Sequence, residues 1–233
     1  MRWGVVTFPG SNDDRDTAAA LERVLRDDVI RLWHKSDDLE GVDCVVLPGG
    51  FSYGDYLRAG AIARFSPIME AVRAHARAGG AVLGICNGFQ VLCEAGLLPG
   101  ALVMNRSLRF VCRDVVLRVE NGSGAAVHGC RPGELLTIPI KHGEGCFVAD
   151  DATVARVEEA GQVALRYVGP DGEVTEAANP NGSTNGIAGV RNAAGNVVGL
   201  MPHPEHAMDP LLGGTDGRRI FESVRLWVQG RRT

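Results

Sequence analysis

The sequence predicts an α/β protein, with an open, mostly parallel sheet covered by helices on both faces and a smaller antiparallel β-sheet insertion. Two observations predict this class. Short apolar strands alternate with helical segments over the first hundred residues, and short strands separated by Gly, Asn and Asp clusters follow. With 233 residues and 45% hydrophobic content the chain can form one substantial core, so we expect a single domain over residues 1–233.

The first hundred residues alternate between strand and helix signals. Four short apolar runs, bounded by turn residues, predict strands over residues 2–8, 28–34, 42–50 and 79–85. Apolar residues at helical spacing predict helices after the first strand, within 56–78 after Pro67, and over 87–98. Because the run 42–50 is almost uniformly apolar, we expect this strand to be covered on both faces, as in a parallel sheet.

The remainder of the chain has a different texture. Between residues 110 and 200, short runs such as RFVCRDVVLRVE and QVALRYV predict antiparallel strands attached to the α/β core. Over 216–229, Ile220, Val224 and Trp227 lie along one helical face. This spacing predicts a closing amphipathic helix.

Composition excludes several classes of function. The net charge of −4 gives no electrostatic basis for binding nucleic acid or an anionic membrane. No apolar run is long enough to span a bilayer, and the opening residues do not resemble a signal peptide, so we expect a cytoplasmic protein. The six cysteines are dispersed and form no CxxC pair, which indicates reduced, mostly buried thiols.

The stretch LGICNGFQ, residues 83–90, places Cys86 between Gly84 and Gly88 where a strand should turn into a helix. Small flanking residues permit the strained turn that exposes a nucleophile. If Asn87 begins the helix, its N–H and the helix dipole can stabilise an oxyanion beside the thiol. From these residues alone, a buried structural cysteine is an equal alternative.

A base for such a nucleophile is available in GLMPHPEHAMD, residues 199–209. His203 and Glu205 are two residues apart, so extended backbone would put both side chains on one face. The flanking prolines favour extended backbone at the carboxyl end of a strand, which is where open α/β sheets place their sites. On the same argument His206 should point away and have no role, and the alternative for the whole segment is an exposed polar loop.

Two glycine-rich segments complete the set of candidates. In LPGGFSYGD, residues 47–55, Gly49 and Gly50 would let backbone N–H groups approach a substrate carbonyl, although such turns also bind phosphate or simply reverse the chain. In IKHGEGCF, residues 140–147, His142, Glu144 and Cys146 could suggest a metal site. The intervening glycines indicate a flexible loop instead, and we expect no metal.

Taken together, GICNGFQ, LPGGFSYGD and PHPE resemble the class I glutamine amidotransferase domain. Further segments spread over nearly the whole chain resemble the glutaminase subunits of phosphoribosylformylglycinamidine synthases: FPGSN, IKHGEG, NPNGS and LGGTDG. The resemblance implies a Cys86, His203 and Glu205 triad. Similar proteins often have Cys where this chain has Asp13, which implies that this position is not essential to the chemistry.

The resemblance also implies a function and its partners. Glutamine would be hydrolysed to glutamate and ammonia, and the ammonia passed to a separate synthetase subunit that aminates formylglycinamide ribonucleotide in purine synthesis. A small third subunit usually completes the complex. ATP and Mg are expected on the synthetase, with no cofactor bound by this chain. We expect the partner to cover the site mouth, at the loops after Gly50, near His142 and around Asn179.

Individual binding roles follow from the same resemblance. Gly50 and Asn87 would supply the oxyanion hole, while Gly49 and Gln90 would bind glutamine, with Gln90 at its α-carbon end. Two other classes stay open. One is another Cys-dependent α/β hydrolase or isomerase of the DJ-1 type, which would lack the His-x-Glu pair; the other is a noncatalytic binding domain, which would be expected to have lost Cys86 or His203.

Overall fold

The computed structural model describes residues 1–231, and a nine-stranded sheet forms its centre. The strands are β1 Arg2–Thr7, β2 Asp28–Trp33, β3 Cys44–Leu47, β4 Ala81–Ile85, β5 Ala101–Val103, β6 Val111–Val119, β7 Leu135–His142, β8 Cys146–Val148, β9 Val163–Val168, β10 Ile187–Arg191 and β11 Val197–Leu200. The helices are α1 Asp14–Ala19, which continues as a π-helical turn Ala20–Val24, α2 Ile68–Arg77, α3 Asn87–Glu94, α4 Asp151–Glu159 and α5 Gly217–Gly230. The strands and helices expected in the first hundred residues are therefore confirmed, and so is the closing helix.

The strand order in the large sheet is β2-β1-β3-β4-β11-β10-β9-β6-β7. The pairs from β2 to β11 are parallel, and those from β11 to β7 are antiparallel. Most of the antiparallel strands thus extend the main sheet, because β10 pairs with the edge of β11 that would otherwise have no partner. The separate small sheet contains β5 and β8 alone.

Helices cover both faces of the sheet, as the sequence predicts. The ring of Trp3 in β1 packs edge-on against Phe221 of α5, with ring centroids 5.9 Å apart. Cys44 of β3 pairs with Trp3 on one side and with Ala81 on the other, so these residues share one face of the sheet. Position 84, three residues further along β4, belongs to the other face. That face carries α3, whose Leu92 side chain packs directly over Gly84.

The parallel strands determine where the site forms. Because β1, β3, β4 and β11 run in the same direction, their carboxyl ends share one edge of the sheet. The turns that leave these strands carry Asp13, Gly50, Cys86 and His203 respectively. The helices within residues 1–231 are all too short or too polar to cross a membrane.

Candidate active site

Cys86 occupies a strained turn between β4 and α3. Its φ is +49° and its ψ −104°, a conformation that costs an L-residue about 1–3 kcal/mol and is typical of functional sites. Neighbouring glycines make the turn possible: a Cβ on Gly84 would lie 2.7 Å from the carbonyl oxygen of Gly88, and one on Gly88 would lie 1.9 Å from that of Leu47. The geometry is that of a nucleophile elbow.

His203 and Glu205 form the expected pair, but not on extended backbone. Pro204–His206 is a 3-10 turn that begins directly after His203, and His203 Nδ1 lies 2.6 Å from Glu205 Oε1, with both side chains buried. This turn also makes the prediction for His206 wrong. Its Nε2 lies 3.0 Å from Asp13 Oδ1 and 3.7 Å from Glu205 Oε1, because the tight turn brings residue 206 back toward 203 instead of directing it away.

The electrostatics of His203 favour a protonated imidazole. Burial alone would lower its pKa, but the Glu205 carboxylate and the Cys86 sulfur raise it above the usual histidine value. Nε2 is buried and makes no hydrogen bond of normal geometry within residues 1–231. With Nδ1 committed to Glu205, Nε2 is the nitrogen that can take the thiol proton.

A pocket of about 240 Å³ opens over the thiol, and Cys86, His203 and Gly50 are among the residues that line it. Gly50 has a φ of +141°, and a Cβ there would lie 2.6 Å from the backbone N of Asn12. Asn87 is the first residue of α3, so its N–H has no acceptor within the helix. Gly50 thus lies at the pocket and Asn87 directly follows Cys86, and the oxyanion-hole role of their N–H groups stays a prediction.

Gly49 does not line the pocket. A Cβ on Gly49 would lie 2.5 Å from Asp13 Oδ2 and 2.7 Å from His203 Cε1, so its visible role is to let these side chains approach. The buried Gln90 lines the pocket, but its amide accepts from Asn87 Nδ2 at 2.8 Å and donates to the Glu144 carbonyl oxygen at 2.6 Å. Its side chain therefore holds the turn after β7 in place.

That turn, residues 143–145, is not the flexible loop that its glycines predict. Asn105, fully buried, accepts from Gly145 N at 3.0 Å and donates to the His142 carbonyl oxygen at 2.9 Å. Asn181 Nδ2 donates to the Gly145 carbonyl oxygen at 2.8 Å. Sequence reasoning missed both asparagines, because a buried structural amide has no distinctive spacing.

His142 itself is buried and uncharged. Burial and, to a smaller extent, the positive charge of His203 together lower its pKa to about 4. Its Nδ1 lies 3.1 Å from Asn105 Oδ1. A neutral His142 next to a charged His203 avoids placing two buried positive charges side by side.

Two carboxylates that sequence reasoning did not connect form one wall of the pocket. Burial and the charge of Glu144 raise the pKa of Asp55, a hydrogen bond from Asn87 partly offsets both, and the net result is a pKa of about 6. The proximity of Glu144 is visible in this effect on Asp55. Such an acidic wall suits a positively charged group of a substrate.

Four potential metal ligands also come together near the triad. Ligand atoms of Asp13, His203, Glu205 and His206 lie within 4.8 Å of one another. Several of these atoms are already paired, however: His203 Nδ1 with Glu205 Oε1, and Asp13 Oδ1 with His206 Nε2 and the Lys141 ammonium. A metal ion here would have to displace the Lys141 cation, so the arrangement fits a metal poorly.

Known proteins resemble this chain over nearly its whole length. Residues 1–228 match the model of the CobB/CobQ-like glutamine amidotransferase domain family. "Phosphoribosylformylglycinamidine synthase subunit PurQ" of Gloeobacter violaceus is 60% identical over 224 residues, covering 96% of this chain and 97% of the relative. The chain belongs to the PurQ family.

Other PurQ proteins and structures lead to the same family. The PurQ subunit of Moorella thermoacetica is 55% identical over 233 residues, covering 100% of this chain and 99% of the relative. A chain in the structure of PurLQS from Thermotoga maritima is 43% identical with a TM-score of 0.85, covering 97% of this chain and 98% of that one. The resemblance found in the sequence motifs is confirmed, and so is the fold class.

Proposed function

We propose that this chain is the glutaminase subunit of a phosphoribosylformylglycinamidine synthase and that Cys86, His203 and Glu205 are its catalytic triad. The observation that carries the proposal is a strained, pocket-lining thiol at the same sheet edge as a buried histidine and carboxylate held 2.6 Å apart. Membership of the PurQ family supplies the reaction. The presence of the His-x-Glu pair argues against both the DJ-1-type alternative and a noncatalytic binding domain.

Before the attack, the proton of Cys86 resides on His203, which Glu205 orients, and the sulfur then attacks the glutamine carboxamide carbon. Backbone N–H groups of Gly50 and Asn87 stabilise the tetrahedral oxyanion. His203 then gives its proton to the departing ammonia, and a glutamyl thioester remains on Cys86. Water, activated by the same imidazole, releases glutamate.

The pocket wall suggests how the α-carbon end of glutamine is held. Asp55 and Glu144 lie where a negative charge can attract the α-ammonium group, since both line the pocket with Cys86. Gln90 supports this wall through its hydrogen bond to the Glu144 carbonyl oxygen, and because it lines the pocket we propose that it also binds the α-carbon end of glutamine. We assign no metal or cofactor to this chain.

Ammonia must reach an acceptor before it is protonated by water, so a partner that seals the pocket is part of the proposed function. The Thermotoga maritima relative is part of PurLQS, and the curated relatives are named as subunits. We propose that this chain docks a synthetase subunit that binds ATP and Mg, with a small third subunit completing the complex. We also propose that the complex acts in the cytoplasm.

Two exposed apolar side chains, Phe51 and Phe110, line the pocket, and the loops that carry them hold further exposed apolar side chains that suit such docking. We call this set the apolar rim; it comprises Phe51, Tyr56, Leu57, Leu108 and Phe110. Leu57 is 88% exposed and Leu108 75% exposed, and both have a positive φ, an unusual combination for leucine. The rim includes the expected loop after Gly50, and it adds the segment 104–110, which the sequence did not indicate.

Charge placed on the apolar rim should weaken assembly. We expect Leu57→Glu and Leu108→Glu each to weaken binding to the synthetase by about tenfold or more, because a buried apolar contact is replaced by a desolvated charge. The control is Leu226→Glu, at an exposed position of α5. The adjacent Arg225 pairs with Asp27, which precedes β2, so this part of α5 lies at the edge of the sheet opposite the pocket. Sedimentation or calorimetric titration with the partner gives the affinities.

The same titration tests whether the partner activates hydrolysis. Glutaminase activity should be low for the chain alone, should rise as the synthetase binds, and should require more synthetase for the rim variants. Full activity of the isolated chain would contradict gating by the partner. Normal assembly of both rim variants would move the interface elsewhere while leaving the triad assignment untouched.

A further inference from the structure

Asp13 is buried beside the proposed triad, with only 3% of its surface exposed, and it is among the residues that line the pocket. Oδ1 accepts hydrogen bonds from the Lys141 ammonium and from His206 Nε2, which lies 3.0 Å away. Oδ2 lies 3.7 Å from His203 Nδ1. The turn that carries Asp13 is itself fixed, because the backbone N of Asp13 donates to the Gly49 carbonyl oxygen at 3.2 Å.

The charge on Asp13 is maintained at neutral pH. Burial would raise the pKa of this carboxyl, but the hydrogen bond from His206, the charge of His203, and the hydrogen bond and charge of Lys141 together hold it far below its usual value. His203 therefore has two carboxylates on its Nδ1 side, Glu205 in direct contact and Asp13 one step further away.

The titratable and charged groups that face His203 come from four elements of the fold. They are Asp13 after β1, Cys86 after β4, Lys141 and His142 in β7, and Glu205 and His206 in the turn after β11. Lys141 is the fixed cation in this set. Since its ammonium contacts the Asp13 carboxylate, it offsets part of the negative charge that acts on His203.

We propose that Asp13 is a positioning residue for glutamine hydrolysis, whose carboxylate stabilises the His203 imidazolium while the Lys141 ammonium offsets part of that effect. The inference rests on the proposed function, because it concerns the base of that reaction. It does not make Asp13 indispensable, since Glu205 alone orients the imidazole. It explains why a charged side chain can be buried beside the triad.

Opposite shifts of the pH profile follow from the two charges. Removing the Asp13 charge destabilises the imidazolium, so its proton is lost at lower pH and the alkaline limb of kcat/KM for glutamine moves down. Removing the Lys141 charge leaves Asp13 uncompensated, so the imidazolium is retained to higher pH and the limb moves up. Structural damage alone would lower the rate of both variants without moving the two limbs apart.

The experiment measures kcat/KM for glutamine against pH in the reconstituted complex for Asp13→Asn, Lys141→Met and the charge-preserving control Lys141→Arg. We expect the alkaline limb to fall by about one pH unit in Asp13→Asn and to rise by about half a unit in Lys141→Met. Lys141→Arg should retain the original profile. Ammonia-dependent amidation at each pH corrects for effects on assembly or on the synthetase.

Shifts in the same direction, or no shift in either variant, would overturn the inference. If Asp13→Asn does not assemble, Lys141→Met decides by the sign of its shift alone: upward supports the inference and any other result overturns it. Failure of the proposed function is a different result, in which glutamine-dependent amidation survives Cys86→Ala.

Discussion

Cys86→Ala in the reconstituted complex should lower glutamine-dependent amidation by about 10³-fold or more, because no other group can form the thioester. Ammonia-dependent amidation should continue at the unaltered rate, since the synthetase needs only the nucleophile and not its source. The measurement is the rate of formylglycinamidine ribonucleotide formation with glutamine or with an ammonium salt at alkaline pH.

A matched control is available in the same chain. Cys112→Ala removes an exposed thiol from β6 and should leave both activities unchanged. Loss of both activities in Cys86→Ala would mean that the thiol has a structural role in the complex. Loss of neither would contradict the mechanism.

Gly88→Ala should destabilise the protein by about 3 kcal/mol or more and remove glutaminase activity with it. In an open helix position this change stabilises by about 0.5–1 kcal/mol. Here the new Cβ would lie 1.9 Å from the Leu47 carbonyl oxygen, which belongs to β3, so α3 and the elbow must move. Denaturant unfolding followed by circular dichroism gives the change in free energy of unfolding.

The control for this prediction is Gly230→Ala, at the end of α5, where an added Cβ meets no atom of residues 1–231 within 4 Å. We expect it to change stability by less than about 1 kcal/mol. Equal effects at Gly88 and Gly230 would show that helix propensity, and not the close approach of α3 to β3, determines the role of Gly88.

The parts of the site that could be predicted from the sequence are those in which short-range pattern and topology agree. The thiol between Gly84 and Gly88 indicates a strand-to-helix turn, and parallel strands bring such turns to one edge, where His203 also lies. The predicted proximity of His203 and Glu205 is present, but the backbone there is a 3-10 turn and not the extended segment that we expected. A 3-10 turn and an extended segment both allow contact between residues 203 and 205, but only the turn also brings in His206.

Contacts between distant parts of the chain could not be predicted in this way. Asp13 and Lys141 are 128 residues apart, and nothing in either segment indicates the other. Asn105 and Asn181 likewise act on a turn that is far from both in sequence. The antiparallel strands join the main sheet for a related reason, since the partner of β11 depends on which edge remains unpaired after the parallel half is formed.

Detection of the covalent intermediate tests the central claim most directly. The reconstituted complex is mixed with glutamine, quenched in acid during turnover, digested, and analysed by mass spectrometry. A γ-glutamyl group should be found on the peptide that contains Cys86, and it should be absent in Cys86→Ala. A complex that consumes glutamine while carrying the adduct on another residue, or while remaining active without Cys86, would contradict the assignment of Cys86 as the nucleophile.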